Sequence, residues 1–188
     1  ITTNTWLCEN TPDFYSMFEP LDFVSYDNYP PVKLPDDPDA LYSHSFHLDL
    51  MRGIKQKNFW IMEQLSGPQG CWMPMTTVPK PGMIKGYALQ AIARGADAVI
   101  HFRWRSAVSG AEMFWHGLID QSGVPSRRFF EFSELCREAA AIDTEGTSVS
   151  SKAALLYSSD TESALKIQPQ TDGFHYYSQL KAFHDGVT

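Results

Sequence analysis

Residues able to do chemistry collect at four points in the sequence, each where a run of apolar residues stops. The first stop carries Asn4 and Trp6, the second Asp27, Asn28 and Tyr29, the third Glu63 and Gln64, and the fourth His101, Arg103, Trp104 and Arg105. In NFWIMEQLSG (residues 58–67) the run Phe59–Met62 leads straight into the Glu63 carboxylate. Such an acid either caps its strand, paired or solvated, or works on a ligand. Polar and aromatic groups ending four strands at one rim favour a binding cleft over four unrelated turns. With Arg103 or Arg105 beside it, Glu63 would stay ionised, because an opposite charge favours the charged form. That suits a nucleophile or an electrostatic stabiliser better than a general acid. Tyr29, on the neighbouring strand, is placed to hydrogen-bond to it.

The elements that must position these groups alternate. ITTNTW (1–6) reads as a strand, and TPDFYSMF (11–18) as a short helix capped by Thr11 with Pro12 in its first position. LDFVSYDNYP (21–30) is a second strand, and residues 37–56 form a helix with Leu41, Phe46, Leu48, Leu50 and Ile54 for its inner face. The Glu63 strand is third. Its long loop, residues 66–82, leads to a helix over 83–95 that Gly95 terminates, and a fourth strand over 96–104 follows at once. After another long loop, residues 126–142 form an amphipathic helix with Phe129, Phe132, Leu135, Cys136 and Ala139 on one side.

Strand–helix alternation with near-continuously apolar strands predicts an α/β fold with a parallel sheet. Four units in about 140 residues match half of a (β/α)8 TIM-type barrel, although an open flavodoxin-like sheet would give the same alternation. Long loops after the strands and short returns after the helices favour the barrel. Both place ligands at the C-terminal strand ends. The polar stretch 143–151 reads as a linker after a barrel portion over 1–142. Residues 152–188 read as the start of a second, incomplete α/β domain, with a strand over 152–158 and a helix over 172–186.

Bulk properties remove several function classes. The chain has 188 residues, 43% of them hydrophobic and 13% aromatic, ample for a packed core. A net charge of -7 leaves no basic stripe for phosphates, so no nucleic-acid partner is expected. No apolar run approaches the ~20 residues that span a bilayer. Cys8, Cys71 and Cys136 are scattered, with neither a disulfide framework nor zinc spacing, which fits a reducing, cytoplasmic setting. His44, His47, His175 and His184 show no ligand pairing, so neither metal nor cofactor is expected in this chain. The sequence opens without Met on an apparent strand, which reads as a piece of a longer protein.

Three stretches together carry a resemblance. DFVSYDNYP, FWIMEQLSG followed by Trp72, and GADAVIHFRWRSAVSGAEMFWHGLIDQSG closely resemble the family 42 glycoside hydrolases, the β-galactosidases. The resemblance runs along essentially the whole chain. It implies strands five to eight of a retaining (β/α)8 barrel, followed by the start of an α/β trimerisation domain.

It also implies that Glu63 is the catalytic nucleophile. On the same footing, Trp72 walls the galactose subsite, Glu112 and His116 hydrogen-bond sugar hydroxyls, and Tyr29 stands beside the nucleophile. The expected activity is release of terminal β-D-galactose by double displacement, from a homotrimeric parent. The family's acid/base glutamate ends the fourth strand, upstream of Ile1, so the isolated chain is expected to hold half a site and to be inactive. A related retaining arabinosidase or fucosidase, or a non-catalytic sugar-binding or degenerate fragment, is the alternative. Open sheet edges at both ends of a half barrel would invite pairing.

Overall fold

The structure is a computed structural model that describes residues 1–6, 12–31, 42, 44–71 and 73–188. Its elements run α1 (Phe14–Phe18), β1 (Ser25–Asn28), α2 (Ser45–Lys55), β2 (Phe59–Leu65), α3 (Met83–Ala93), β3 (Ala96–Phe102), α4 (Arg127–Ala140), α5 (Ser159–Ile167) and α6 (Tyr176–Val187). The three described strands form one parallel sheet in the order β1-β2-β3. Phe59 and Ile61 are fully buried and pack with Val24, Tyr26, Leu48 and Met51 into the core that joins sheet to helices. Gly95, at a φ of 98° that few side chains tolerate, closes the turn from α3 into β3, and its carbonyl accepts from the Phe59 amide at 3.1 Å.

Three expected elements differ. Residues 1–6 run beside β1 but form no regular strand, because hydroxyls replace much of the ladder. Thr5 Oγ1 donates to the Ser25 carbonyl at 2.6 Å, Ser25 Oγ to the Thr3 carbonyl at 2.6 Å and Thr2 Oγ1 to the Phe23 carbonyl at 2.8 Å. The Asp27 amide still donates to the Thr5 carbonyl at 2.8 Å, which fixes this segment against the strand. Residues 152–158 are not a strand either. Ser158 instead caps α5, its hydroxyl accepting from the Thr161 amide at 3.1 Å. In α1 the cap is Asp13, with Pro12 outside the helix; Thr11 lies outside the described residues, as does Leu41.

The inner face of α4 is also corrected. Leu135 is buried as expected, but Cys136 is exposed and the other buried side chains are Arg128 and Glu131. They are buried because the helix lies over backbone that needs partners. Arg128 Nε donates to the Gly117 carbonyl at 3.1 Å, and Glu131 Oε1 accepts from the Lys85 amide at 3.0 Å.

The C-terminal segment packs against α1 and α2. Tyr157 joins the main core and faces Tyr15 with ring centroids 6.3 Å apart. His184 Nε2 bonds Asp49 Oδ2 at 2.8 Å, and Asp49 also pairs with Arg52 and Arg94.

Candidate active site

Glu63 is partly exposed at the C-terminal end of β2, where strand alternation turns it to the face opposite Gln64. Both of its oxygens are occupied. Tyr29 OH donates to Oε2 at 2.7 Å, and Asn4 Nδ2 donates to Oε1 at 3.2 Å. The expected arginine partners are elsewhere: Arg103 pairs with Glu112, and Arg105 Nη2 donates to the Gln121 carbonyl at 2.8 Å. Neutral donors therefore replace a cation beside this carboxylate. They orient it without neutralising it.

Asp27 is the Cα partner of Glu63 across β1 and β2. Burial pushes its carboxyl up to about 7, Glu63's charge adds to the rise, and the Asn4 amide opposes it. Asp27 Oδ1 is buried without a hydrogen-bond partner. Near neutrality Asp27 therefore readily keeps its proton.

Tyr29 is itself held. Its ring meets the buried Trp115 edge-on, centroids 5.0 Å apart at 89°. Burial, then the hydrogen bond to Glu63, then the nearby carboxylates raise its phenol well above the usual range, so it is a donor throughout the physiological range.

Trp115 arrives on the loop after β3, which also carries Glu112 and His116. The loop is tied down by backbone bonds: His116 N to the Pro68 carbonyl at 3.0 Å, Leu118 N to the Arg103 carbonyl and Ile119 N to the Trp104 carbonyl, both at 2.8 Å. The close approach depends on two glycines. A Cβ on Gly117 would lie 2.6 Å from the Arg103 carbonyl oxygen, and one on Gly67 would lie 2.9 Å from the His116 carbonyl oxygen. The Phe102–Arg103 peptide, where β3 enters this loop, is cis.

His116 Nδ1 lies 3.3 Å from Asp120 Oδ1, and Asp120 is paired with the buried Arg128. An acceptor on Nδ1 fixes the proton there and leaves Nε2 for another partner. Glu112 is more exposed than His116 and keeps one carboxylate oxygen on Arg103.

The structure thus brings Glu63 and Tyr29 into direct contact and sets Glu112 and His116 on one docked loop. Trp72 lies outside the described residues. Sequence reasoning missed Trp115, Asp120 and Arg128 as supports; the crowded GAEMFWHG stretch was the available signal for Trp115. Among the described residues no group of three His, Cys, Asp or Glu side chains is arranged to hold a metal, and no helix is long and apolar enough to cross a membrane. An open cavity of about 580 Å³ between α3 and α4, lined by Lys85, Phe130 and Glu134 among others, shares no residue with this site.

Comparisons with known proteins agree along the whole chain. Residues 1–142 match the glycoside hydrolase 42 family model, described as β-galactosidase. The chain is 62% identical over 189 residues to β-galactosidase BgaA of Clostridium cellulovorans, covering all of this chain and 29% of that protein. It is 34% identical to β-galactosidase BgaH of Haloferax lucentense, over 93% of this chain and 27% of that one. Among solved structures, a polyextremophilic β-galactosidase from the Antarctic haloarchaeon Halorubrum lacusprofundi superposes with a TM-score of 0.89 at 30% identity, over 99% of this chain and 29% of the other. The β-galactosidase of Bacillus circulans sp. alkalophilus gives 0.86 at 30% identity, over 98% and 27%. The chain spans under a third of the length of these relatives.

Proposed function

The chain belongs to glycoside hydrolase family 42, the β-galactosidases, and from that premise we propose that it is the nucleophile-bearing part of a longer retaining enzyme that releases terminal β-D-galactose. The observation that carries this reading is Glu63, ending a buried strand with Tyr29 OH on one oxygen and Asn4 Nδ2 on the other. A carboxylate oriented by neutral donors fits nucleophilic attack.

In the first step Glu63 attacks the anomeric carbon, the glycosidic C–O bond breaks, and an acid glutamate from the fourth barrel strand protonates the departing oxygen. That glutamate lies upstream of Ile1 on this reading. The same glutamate then removes a proton from water, which displaces Glu63 from the galactosyl ester. Two such carboxyl groups stand about 5–5.5 Å apart in retaining enzymes. Tyr29 withdraws from the carboxylate's charge as the ester forms and strengthens its hold again as Glu63 is released.

Trp72 would stack on the apolar face of galactose, while Glu112 and His116 Nε2 would take its hydroxyls. Within the whole protein, residues 1–142 would form strands five to eight of the barrel, 143–151 a linker and 152–188 the start of a trimerisation domain. The parent on this reading is a cytoplasmic homotrimer.

The test is Glu63→Ala in the full-length enzyme that carries this chain. Hydrolysis of an aryl β-galactoside should fall by roughly 10⁴-fold or more, as for loss of a covalent nucleophile, and added azide should restore turnover as α-galactosyl azide. Activity within a few-fold of wild type would overturn the assignment. Faster cleavage of aryl arabinosides or fucosides than of galactosides would move the substrate and leave the mechanism.

A further inference from the structure

Directly behind the Tyr29–Glu63 contact, on the helix side of the sheet, lies a set of polar side chains that the mechanism does not use. Asn28 precedes Tyr29, and Gln64 follows Glu63; the two are Cα partners, and both are fully buried. Asn28 Nδ2 donates to Gln64 Oε1 at 2.9 Å, and Gln64 Nε2 donates back to the Asn28 carbonyl at 3.2 Å. His44, at the N-terminal cap of α2, closes the set by donating from Nδ1 to Asn28 Oδ1 at 2.9 Å. That ring is 8% exposed, and burial depresses its basicity to about 3, so it is neutral with the proton on Nδ1.

The position of this set matters because the ladder is irregular here. The β1–β2 register shifts between Tyr26 and Asp27, and the β2–β3 register shifts between Ile61 and Gln64. Where backbone pairing is interrupted, the relative height of two strand ends depends on other contacts. The Asn28–Gln64 pair supplies one, and alternation makes it act on the neighbours facing the other way. One turn along α2, His47 holds Tyr26 by Tyr26 OH to Nδ1 at 2.7 Å, so both outward residues of β1 are fixed by the same helix. If this were only packing, apolar side chains would fill the space without the desolvation cost of two amides and a ring.

We propose that Asn28, Gln64 and His44 are positioning residues that set the Tyr29–Glu63 contact from behind the sheet, transmitting the seat of α2 to the nucleophile. This rests on the reading of Glu63 as nucleophile. Asn28 and Gln64 lock the two strand ends in register, and His44 fixes the Asn28 amide so that its Nδ2 faces Gln64. A slip of about 1 Å here parts Tyr29 OH from Glu63 Oε2, and the attacking oxygen that this contact orients is then misplaced, which typically costs on the order of 100-fold in rate.

The experiment uses the full-length enzyme, with kcat and KM for an aryl β-galactoside measured from pH 4 to 9. The variants are Gln64→Met, Tyr29→Phe and the two combined, beside His44→Asn, which keeps a donor where Nδ1 stood, and His44→Phe, which does not. Gln64→Met is expected to lower kcat/KM about 10- to 100-fold mainly through kcat. In the Tyr29→Phe background it should add less than about 2-fold, since both changes remove one contact. His44→Asn should stay within about 3-fold of wild type while His44→Phe falls with Gln64→Met.

Additive effects of Gln64→Met and Tyr29→Phe, or a loss carried by KM with kcat unchanged, would overturn the proposal. So would equal activities of the two His44 variants, which decides the matter even if Gln64→Met fails to fold. An inactive Glu63→Ala enzyme with additive Gln64 and Tyr29 effects would remove the positioning set and leave the nucleophile in place. An active Glu63→Ala enzyme would remove both.

Discussion

Asp27 and Glu63 are Cα partners on adjacent strands, so two carboxyl groups leave the sheet together, with the Asn4 amide beside both. Their inequality is physical. Glu63 receives two hydrogen bonds, whereas Asp27 has one buried oxygen with none and is pushed up to about 7 by burial and by Glu63's charge. Burial outweighs the one amide that helps Asp27, so Asp27 keeps its proton well above the usual carboxylate range.

That difference gives stability a pH dependence with a definite sign. Asp27's folded value lies above the unfolded 3.8, so the native state binds the extra proton. Its contribution is fully present below about 4 and is lost as pH rises through about 7. Asp27→Asn keeps the shape of the protonated acid and removes the titration. Relative to wild type, the variant's melting temperature should be higher at pH 8 and nearly equal at pH 4. An offset of the same size at both pH values would show that Asp27 ionises in the fold as it does in solvent.

Tyr29→Phe keeps the edge-on packing against Trp115 and removes the donor on Glu63 Oε2. A hydrogen bond to a charged group contributes about 1.5–3 kcal/mol, or roughly 10- to 150-fold if it is needed in the transition state. We expect kcat/KM of the full-length enzyme to fall within that range, with a melting temperature within a few degrees of wild type. A loss under 2-fold would mean that Asn4 alone suffices to hold the carboxylate.

Gly117→Ala tests whether loop docking places Glu112 and His116. The new methyl would stand 2.6 Å from the Arg103 carbonyl oxygen, and neither partner is a flexible side-chain tip. Relief requires the loop to lift, which breaks the Leu118–Arg103 bond of 2.8 Å and the Gly117–Ser106 Oγ bond of 2.9 Å. Overpacking of this kind costs about 1–3 kcal/mol. The expected outcome is a raised KM for galactosides, with kcat less affected. Unchanged KM would detach this loop from substrate binding.

The Tyr29–Glu63 contact was legible because both residues end neighbouring apolar strands, and the family resemblance implies a role for Glu63. The parallel sheet was legible from strand–helix alternation, and family 42 β-galactosidase structures share it. Other features depend on contacts that periodicity does not encode. The helical pattern of 126–142 places apolar residues inside, yet Arg128 and Glu131 are buried because α4 covers carbonyls and amides that only polar groups satisfy. Residues 1–6 have the β-branched composition of a strand, but the same Thr hydroxyls that raise that propensity capture the neighbouring carbonyls. Arg103 and Arg105 lie near Glu63 in strand order, and only the return of the 112–121 loop shows where their charges go.

Two buried histidines make the fold sensitive to acid. Burial holds His44 at about 3 and His47 well below its usual value, with nearby His44 and Lys181 adding to the effect at His47. Both folded values lie below the unfolded 6.5, so the unfolded chain binds more protons between those limits. Their contribution is full above about 6.5 and is lost as pH falls toward about 3, because each buried ring is then forced to charge and His47 Nδ1 can no longer accept from Tyr26 OH. His44→Asn removes one of these titrations and keeps the donor. Its urea midpoint should therefore fall less than that of wild type between pH 7 and pH 4.5. A parallel fall in both proteins would assign the acid sensitivity to other groups and leave His44 as a donor only.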